Sequence, residues 1–233
     1  MVTGGSVLNT KDFWIIGAGR FGRIAAERLA ARYHQASFLV VDSSAQALRS
    51  LEDLPVKTVR EDGMAFLAGH LTAEEFPSFI VPAVPVHLAF EWLKRKLEPA
   101  FTVLSTPVPE KAAGVLPNPL LAGTGKLYAS YAGFVCPDNC PEPPGICTVT
   151  RSKRKGLLYR DFQSLHVEGF ISIGIQSRQL APGLGGFEPE VLWAALEKIM
   201  KTGFEKGFLL GTACLCHGVL DAFKLSPGAK PGP

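Results

Sequence analysis

At 233 residues the chain is long enough for one large α/β domain, or for one domain with an appended region, and either would bury a sizeable core. Apolar residues make up 47% of it, but no uninterrupted apolar run approaches the roughly 18 residues that a membrane-spanning helix needs. A net charge of +3 is too small to indicate nucleic acid as a partner. The opening residues lack the basic and apolar regions of a secretory signal, which predicts a cytoplasmic protein.

The first strong signal is an apolar segment followed by a glycine-rich turn. Residues 13–16 (FWII) are apolar without alternation, as expected of a central parallel strand, and residues 24–33 are rich in good helix formers. Gly17, Gly19 and Gly22 lie between them with the spacing GxGxxG. In a dinucleotide site the first glycine allows a tight turn, the second lets the backbone approach a pyrophosphate, and the third lets helix and strand pack closely. The residues predicted to bind the cofactor phosphates are Gly17, Ala18, Gly19, Arg20, Phe21 and Gly22.

A second apolar segment, residues 38–41, ends at Asp42, twenty positions beyond the last glycine of the turn. A carboxylate there can accept hydrogen bonds from both hydroxyls of an adenosine ribose and would repel a 2′-phosphate. The sequence therefore predicts a dinucleotide ligand, and NAD(H) in preference to NADP(H). The alternative is that the glycines only close a tight turn and that no nucleotide binds.

Strands and helices continue to alternate as far as residue 104. Helices are predicted over 44–51 and 86–98, and strands over 56–59, 79–83 and 101–104. This alternation predicts an α/β fold with a doubly wound, mainly parallel, Rossmann-like sheet. The next segment, residues 105–121, contains four of the eighteen prolines, so we expect the chain to leave the sheet there.

The glycine turn also carries a family resemblance. The segment from Ile15 to Gly22, IIGAGRFG, resembles the opening of TrkA-type nucleotide-binding domains, the RCK regulators of potassium transport, and the likeness extends over residues 11–105. The resemblance implies a Rossmann-like domain with NAD as its ligand. It also implies that Asp42 binds the adenosine ribose and that Asp62, after the third strand, lies near the adenine.

The second half of the chain is less regular. Strands are predicted over 127–134, 170–176 and 208–210, and helices over 189–201 and 216–223. The predicted organisation is a Rossmann-like dinucleotide-binding domain over 1–110, an irregular α/β region with a cysteine cluster over 111–225, and a disordered tail over 226–233.

The five cysteines all lie in two short segments of this second region. They are Cys136, Cys140 and Cys147 in a loop with four prolines, and Cys214 and Cys216 immediately before His217. Proline-stiffened loops lower the entropy that is lost when several thiolates converge, and Cys-Pro steps occur in iron–sulfur ligand runs. The pattern predicts an iron–sulfur or zinc site, with three ligands from the loop and at least one from the second segment. A reversible dithiol pair and inert free cysteines are the alternatives.

Two further features have both a functional and a structural interpretation. His87 follows the fourth strand at the edge where a nicotinamide ring would lie, which makes it a weak candidate for a proton donor or acceptor. Its alternative role is that of a helix-start histidine bonded to the backbone. The basic run from Arg151 to Lys155 is most simply a solvated loop, and contact with nucleic acid is the minor alternative.

Taken together, the glycine turn and the clustered thiols predict an NAD(H)-binding protein of oxidoreductase type with a cysteine-ligated metal, iron–sulfur or redox site. The alternative is a nucleotide-sensing regulatory module, as in TrkA-type proteins, that binds the dinucleotide without catalytic turnover. A second copy of the chain or a redox protein is the macromolecular partner that we expect.

Overall fold

The computed structural model describes residues 11–72 and 74–228. Its strands form two large sheets, with helices on their faces, and a separate two-stranded hairpin. In chain order they are β1 (Asp12–Ile16), α1 (Arg20–Arg32), β2 (Ser37–Asp42), α2 (Ala45–Arg49), β3 (Lys57–Arg60), α3 (Gly63–His70), β4 (Phe79–Pro82), α4 (Leu88–Leu97), β5 (Phe101–Ser105), α5 (Glu110–Val115), β6 (Leu120–Leu121), β7 (Lys126–Ser130), α6 (Leu158–Gln163), β8 (Phe170–Gln176), β9 (Arg178–Ala181), β10 (Leu184–Gly186), α7 (Glu190–Thr202), β11 (Gly207–Ala213) and β12 (His217–Pro227).

The first sheet has four parallel strands in the order β3-β2-β1-β4. The side chains of β1 are buried on both faces, with Phe13 and Ile15 on one side and Trp14 and Ile16 on the other. This is the environment that an apolar run without alternation predicts. The expected α/β fold with a mainly parallel, Rossmann-like sheet is thereby confirmed.

The second sheet has six strands and is mixed. Strand β8 runs parallel to β11, whereas β12 is antiparallel to β11 on one side and to β7 and β5 on the other. The strand predicted over 101–104 is therefore present as β5, but it lies in the second sheet and does not extend the parallel one. Its place depends on pairing with the far end of the chain, which no local pattern encodes.

Helices α3, α4 and α7 lie between the two sheets. One continuous core joins Trp14 of the first sheet to Trp92 of α4, Leu192 of α7 and Phe208 and Phe223 of the second sheet. A second cluster packs α1 and α2 on the other face of the first sheet, and a third packs α5 and α6 on the other face of the second sheet. The result is five layers that alternate helices and sheets.

The prediction of a helix over 216–223 is wrong, because these residues belong to β12 or to the turn before it. Leu220 and Ala222 pack with α6 on one face, while Phe223 packs with α4 and α7 on the other. A short run that is buried on both faces cannot be assigned to helix or strand by periodicity alone. The predicted tail is also too long, since residues 226–227 complete β12, and residues 229–233 lie outside the described part.

The hairpin of β9 and β10 joins the second half of the chain to the edge of the first sheet. Phe187, just after β10, exchanges two backbone hydrogen bonds with Ile80 of β4, at 2.9 and 3.0 Å. The hydroxyl of Tyr33, after α1, donates to the carbonyl oxygen of Leu180 at 3.2 Å. These contacts attach the hairpin to the β4 edge of the first sheet and to the C-terminal end of α1.

Candidate functional site

The glycine turn lies between β1 and α1 and has the tight backbone that its spacing predicts. Gly17 has a φ of +108°, which favours glycine, and a Cβ there would lie 2.6 Å from the carbonyl oxygen of Ala83. A Cβ on Gly22 would overlap the carbonyl oxygen of Gly17. At Gly19, by contrast, no described atom lies within 4 Å of the position that a Cβ would take. The turn is therefore closely packed except at Gly19, where the backbone faces open space.

Helix α1 starts directly at this opening. It begins at Arg20, and among the described residues no side chain caps its first turn. The side chains of Arg20 and Phe21 are exposed. Backbone N–H groups in the first turn of a helix lack partners within the helix, and they favour an anion. The predicted phosphate-binding residues are thus brought together in a conformation that suits a phosphate group.

Asp42 ends β2 beside the glycine turn. Its Oδ2 accepts a hydrogen bond from the backbone N–H of Ala18, and its Oδ1 accepts one from the backbone N–H of Ser44, each at 2.7 Å. The carboxylate is half-buried and fixed against the turn. Because each carboxylate oxygen can accept two hydrogen bonds, both retain capacity for a ligand. The structure therefore places this acid where a ribose-binding carboxylate was predicted.

Asp62 lies after β3 and caps the next helix. Its Oδ1 accepts a hydrogen bond from the backbone N–H of Ala65 at 2.8 Å and forms an exposed ion pair with Arg95 at 3.2 Å. These contacts give Asp62 a structural role as the N-cap of α3. The adenine contact that the family resemblance implies stays a prediction.

All five cysteines line one cavity of about 630 Å³. The proline-rich loop forms one wall, and the turn between β11 and β12 forms another. Lys153, Arg154 and Lys155 also line it, with Arg154 partly buried and the two lysines exposed. The two cysteine segments, which are far apart in sequence, thus meet at one place. The cysteines that share the cavity are Cys136, Cys140, Cys147, Cys214 and Cys216.

The thiols are not arranged around a single point. Among residues 11–72 and 74–228, no three Cys, His, Asp or Glu side chains are grouped closely enough to hold one metal ion. Zinc requires four ligands within about 2.3 Å of the ion. The zinc alternative raised by the CxxxC spacing is therefore not supported by the geometry.

The thiols differ in acidity because their surroundings differ. Hydrogen bonds from the backbone N–H and the hydroxyl of Thr150 lower the pKa of Cys147. Burial raises the pKa of Cys136, and negative charge on Cys140 and Cys147 raises it further. Burial also raises the pKa of Cys216, with a smaller effect in the same direction from Cys136 and Cys147. Cys136 is thus influenced by Cys140 and Cys147, and Cys216 by Cys136 and Cys147.

Cys214 differs from these four. Burial, followed by the charge and hydrogen bond of Glu142, raises the pKa of Cys214 to about 12. Its Sγ accepts long hydrogen bonds from the backbone N–H groups of Cys216 and His217, at 3.4 and 3.3 Å. Burial lowers the pKa of His217, which keeps this ring neutral at pH 7. Cys214 is therefore kept as a neutral thiol by its burial and by Glu142, against the opposing effect of these two hydrogen bonds.

Arg154, in the basic run, places a positive charge beside the thiols. Nη1 of Arg154 contacts Sγ of Cys216, and Nε of Arg154 donates to the carbonyl oxygen of Pro143 at 2.9 Å. The guanidinium therefore bridges the proline-rich loop and the second cysteine segment. Its positive charge lowers the pKa of Cys216, against the stronger effect of burial.

Contacts with α1 connect the cysteine cavity to the glycine turn. Arg20, the first residue of the helix, forms an ion pair at 3.5 Å with Asp138 of the cysteine loop. Nη1 of Arg28 donates to the carbonyl oxygens of Asp138 and Pro182, at 2.8 and 2.6 Å. The backbone N–H of Gly183 in turn donates to the carbonyl oxygen of Cys140 at 2.7 Å. The cavity and the nucleotide-binding turn therefore adjoin the same helix.

His87 precedes α4 and points toward the second sheet. It is 5% exposed, its Nδ1 lies 2.7 Å from Oδ2 of Asp221, and its Nε2 lies 2.8 Å from the hydroxyl of Thr212. The histidine is therefore bonded to side chains, and the backbone-bonded alternative is wrong. The sequence did not single out Thr212 or Asp221, since they are 125 and 134 positions away from His87. Nothing in their local sequence marks them as its partners.

Comparison with known proteins agrees with the geometry of the first sheet. The TrkA-N domain family matches residues 13–74, which hold the glycine turn and Asp42. The family resemblance of the N-terminal part is confirmed, and the first sheet belongs to a Rossmann-type domain of the nucleotide-binding TrkA-N class.

The second half of the chain matches a different family. A family described as "Uncharacterized protein, C-terminal domain" matches residues 89–226, which is more than half of the chain, and the chain belongs to this family. A protein of Archaeoglobus fulgidus, described as "Uncharacterized protein", is 32% identical over 223 residues, covering 90% of this chain and 98% of the relative. The match that begins at residue 89 includes α4 and β5, which agrees with the pairing of β5 in the second sheet.

Within residues 11–72 and 74–228, no helix is long and apolar enough to cross a bilayer.

Proposed function

We propose that this protein is an NAD(H)-binding oxidoreductase whose cysteine cavity holds an iron–sulfur cluster. The observation that carries the proposal is that all five cysteines line one cavity, and that the loop forming it contacts the first helix of the Rossmann-type domain. An iron–sulfur cluster beside a nicotinamide nucleotide would make electron transfer its natural chemistry.

The residues around the glycine turn fit a dinucleotide. Gly19 faces open space, the first turn of α1 has no described side-chain cap, and Asp42 holds a carboxylate against the turn. The helix start suits a pyrophosphate, and the carboxylate suits the two hydroxyls of a ribose. A carboxylate disfavours a 2′-phosphate, which supports NAD(H) over NADP(H).

The cavity brings together the thiols that a cluster would need. The iron atoms of a cluster are spread over several ångströms, so its cysteine ligands lie farther apart than those of a zinc ion. Cys140 and Cys147 raise the pKa of Cys136, and Cys136 and Cys147 raise that of Cys216, while among the described residues no three ligands are grouped for a single ion. The ligands that we assign are Cys136, Cys140, Cys147 and Cys216, with Cys214 outside the set.

The charges that line the cavity also suit a cluster. Four thiolates bring more negative charge than an iron–sulfide core neutralises, and Lys153, Arg154 and Lys155 line the same cavity. Burial raises the pKa of Cys136 and of Cys216, so these thiols hold their protons until a cation replaces them. Loading of the cluster should therefore release protons and become weaker as the pH falls.

The nucleotide part is tested by titrating the purified protein with NADH and following NADH fluorescence. We expect saturable binding that weakens at least tenfold in Asp42→Ala, and weaker binding of NADPH. Asp12→Ala is the matched control, because Asp12 is a carboxylate at the opposite end of the same sheet, where β1 begins. Equal affinity for NADH in Asp42→Ala and the wild type would contradict the proposal.

The cluster part is tested on protein purified without oxygen. We expect iron and inorganic sulfide in equal amounts, with visible absorbance that bleaches on chemical reduction. Cys136→Ala and Cys216→Ala should lose both, while Cys214→Ala should keep them. Protein that contains no iron, or a Cys214→Ala variant that alone loses it, would rule out the assigned ligand set.

A nucleotide-sensing regulator is the second candidate, because the TrkA-N match covers the glycine turn. Such a protein would bind NADH without oxidising it. The two functions are separated by adding an electron acceptor to the protein with bound NADH. Oxidation of NADH above the rate without protein supports the oxidoreductase, and binding without oxidation supports the regulator.

A further inference from the structure

A small hairpin over residues 145–154, here called the basic hairpin, lies at the edge of the cysteine cavity. Ile146 and Lys153 face each other across it as an antiparallel bridge. The backbone N–H of Cys147 donates to the carbonyl oxygen of Ser152 at 2.9 Å. These backbone contacts give the segment a defined shape, so its outward side chains form a fixed surface.

The outer side of the basic hairpin lies close to the proposed cluster. Cys147, one of the assigned ligands, lines the cavity, whereas its neighbour Ile146 is exposed and does not line it. Successive residues of a strand point to opposite faces, which explains this difference. A protein that touches the outer side of the hairpin is therefore separated from the cluster by little more than the hairpin itself.

Three exposed aliphatic side chains lie beside the assigned ligands. Ile146 precedes Cys147, Val149 follows it by two positions, and Val135 precedes Cys136. Val135 is 97% exposed. Single exposed aliphatic residues are common on protein surfaces, but contiguous exposed apolar residues indicate an interaction site. Here all three lie around one cavity.

The charges around these apolar side chains are positive and uncompensated. Arg151, Lys153 and Lys155 are exposed, and within the described part of the chain no carboxylate pairs with them. The two acidic residues of the proline-rich loop are bonded elsewhere, Asp138 to α1 and Glu142 to the turn before β12. The surface is therefore complementary to an acidic partner.

The backbone of Arg151 also indicates a role for its side chain. Its φ of +59° lies in the left-handed region, where glycine is favoured. Its backbone N–H donates to the carbonyl oxygen of Cys147 at 2.9 Å, but within the described residues its guanidinium has no hydrogen bond or ion pair. An arginine kept at a position that suits glycine, with a side chain that serves no internal contact, supports a contact outside the chain.

We propose that the surface formed by Val135, Ile146, Val149, Arg151 and Lys153 docks an acidic protein that carries one electron at a time. The proposal rests on the proposed oxidoreductase function, because the cluster is the electron donor. One electron leaves the reduced cluster and enters the redox centre of the partner, and no bond or proton moves with it. In total, one NADH and two oxidised partner molecules give NAD⁺, one proton and two reduced partner molecules.

The composition of the surface favours a protein over nucleic acid. Sites for single-stranded nucleic acid combine cations with aromatic rings on which bases stack. The exposed apolar side chains of the basic hairpin, Ile146 and Val149, are aliphatic. A small apolar centre with a charged rim is typical of protein interfaces, and electron-transfer complexes have small interfaces that form and separate readily.

The experiment uses protein prepared without oxygen, NADH as reductant, and two haem proteins that each accept one electron. Cytochrome b5 is acidic and cytochrome c is basic. At low ionic strength we expect cytochrome b5 to be reduced at least about tenfold faster than cytochrome c, and this advantage should disappear in about 0.5 M salt. Benzoquinone is the third acceptor, because it is small and neutral and needs no docking surface.

Variants of the surface should affect only the acidic acceptor. Arg151→Glu should slow cytochrome b5 reduction about tenfold, whereas Arg151→Lys should keep the rate. Arg151→Gly suits the positive φ and removes the cation, so we expect slower cytochrome b5 reduction without loss of stability. Val135→Asp should also slow it. Lys206→Glu is the matched control, since Lys206 is exposed at the opposite end of β11 from the cavity.

A second readout needs neither NADH nor turnover. Titration of the protein with oxidised cytochrome b5, followed by NMR, should show binding that salt weakens and that Arg151→Glu weakens about tenfold. Equal effects of Arg151→Glu and Lys206→Glu, or equal slowing of cytochrome b5 and benzoquinone in Arg151→Glu, would overturn the docking surface alone. Loss of poly(U) binding in Arg151→Glu with unchanged cytochrome b5 reduction would assign the surface to nucleic acid and overturn the protein partner. Wild-type protein that binds NADH but reduces no acceptor would overturn the oxidoreductase function and the electron transfer with it, and the titration would still test the surface.

Discussion

The carboxylate of Asp42 accepts a hydrogen bond from the backbone N–H of Ala18 at 2.7 Å. This contact fixes the end of β2 to the turn that follows β1. The other carboxylate oxygen accepts from Ser44 and so also holds the start of the segment leading to α2. One side chain thereby organises both the backbone that would receive a pyrophosphate and the acid that would receive a ribose.

Replacement of Asp42 should therefore affect stability as well as binding. Asp42→Ala removes the partner of two backbone N–H groups, and hydrogen bonds to charged groups contribute about 1.5–3 kcal/mol each. The site is half-buried, so water can replace part of the lost hydrogen bonding. We therefore expect the free energy of unfolding to fall by about 1–3 kcal/mol. Urea denaturation measures it, and Asp42→Asn should lose less because one oxygen acceptor remains. No loss of stability in Asp42→Ala would show that these bonds are not formed in solution.

Two glycines of the turn should respond oppositely to alanine. Gly22→Ala places a methyl group against the carbonyl oxygen of Gly17, and overpacking of this kind costs about 1–3 kcal/mol. Gly19→Ala meets open space, so we expect a stability close to that of the wild type but weaker NADH binding, because the methyl group takes the place of the phosphates. Thermal unfolding and NADH fluorescence measure the two effects. A Gly19→Ala variant that binds NADH normally would place the phosphates elsewhere.

The cavity thiols should differ in reactivity once any metal has been removed. Hydrogen bonds from Thr150 lower the pKa of Cys147, which increases its thiolate fraction at neutral pH, and the thiolate is the reactive form. Burial raises the pKa of Cys214 to about 12, so its thiolate is scarce at pH 8. We expect iodoacetamide at pH 8 to modify Cys147 first and Cys214 last, as followed by mass spectrometry. Thr150→Val should slow the labelling of Cys147, and the reverse order of labelling would contradict the burial of Cys214.

The buried pair of His87 and Asp221 should be sensitive to loss of one partner. Asp221→Ala leaves the buried imidazole without its hydrogen-bond partner, and an unsatisfied buried polar group costs about 1–3 kcal/mol. Lys126→Ala is the control, because Lys126 lies 3.8 Å from the same carboxylate and is partly exposed, so its loss should cost about 1 kcal/mol or less. Chemical denaturation of both variants measures the difference. Equal effects of the two substitutions would argue against a tight contact between His87 and Asp221.

The sequence predicted the nucleotide-binding unit well because its signals are local. The apolar run of β1, the glycine spacing and the acid at Asp42 all lie within a single β–α–β segment, and each one constrains its neighbours. The clustering of cysteines predicted that the two segments would meet, and they do so in one cavity. In the Rossmann-type unit, local pattern and tertiary structure agree because one segment supplies the glycine turn and the acid.

The errors all concern contacts between distant segments. Strand β5 was placed in the wrong sheet because its partner β12 lies more than a hundred positions away, and β12 itself was mistaken for a helix because it is buried on both faces. The partners of His87 could not be predicted for the same reason. The local sequence around a threonine or an aspartate in an apolar strand does not show which side chain it will contact. Pairing of this kind is decided by the packing of the whole core.

The central layer of helices makes the two halves of the chain depend on each other. Trp92 and Leu192 belong to one core with Trp14 on one side and Phe208 on the other. A fragment cut after residue 110 would keep α4 but expose the face that the second sheet covers, and a fragment starting at residue 111 would lose α4 altogether. The nucleotide-binding turn and the cysteine cavity therefore depend on the same hydrophobic core. We expect the two regions to unfold in one cooperative transition and not in two separate ones.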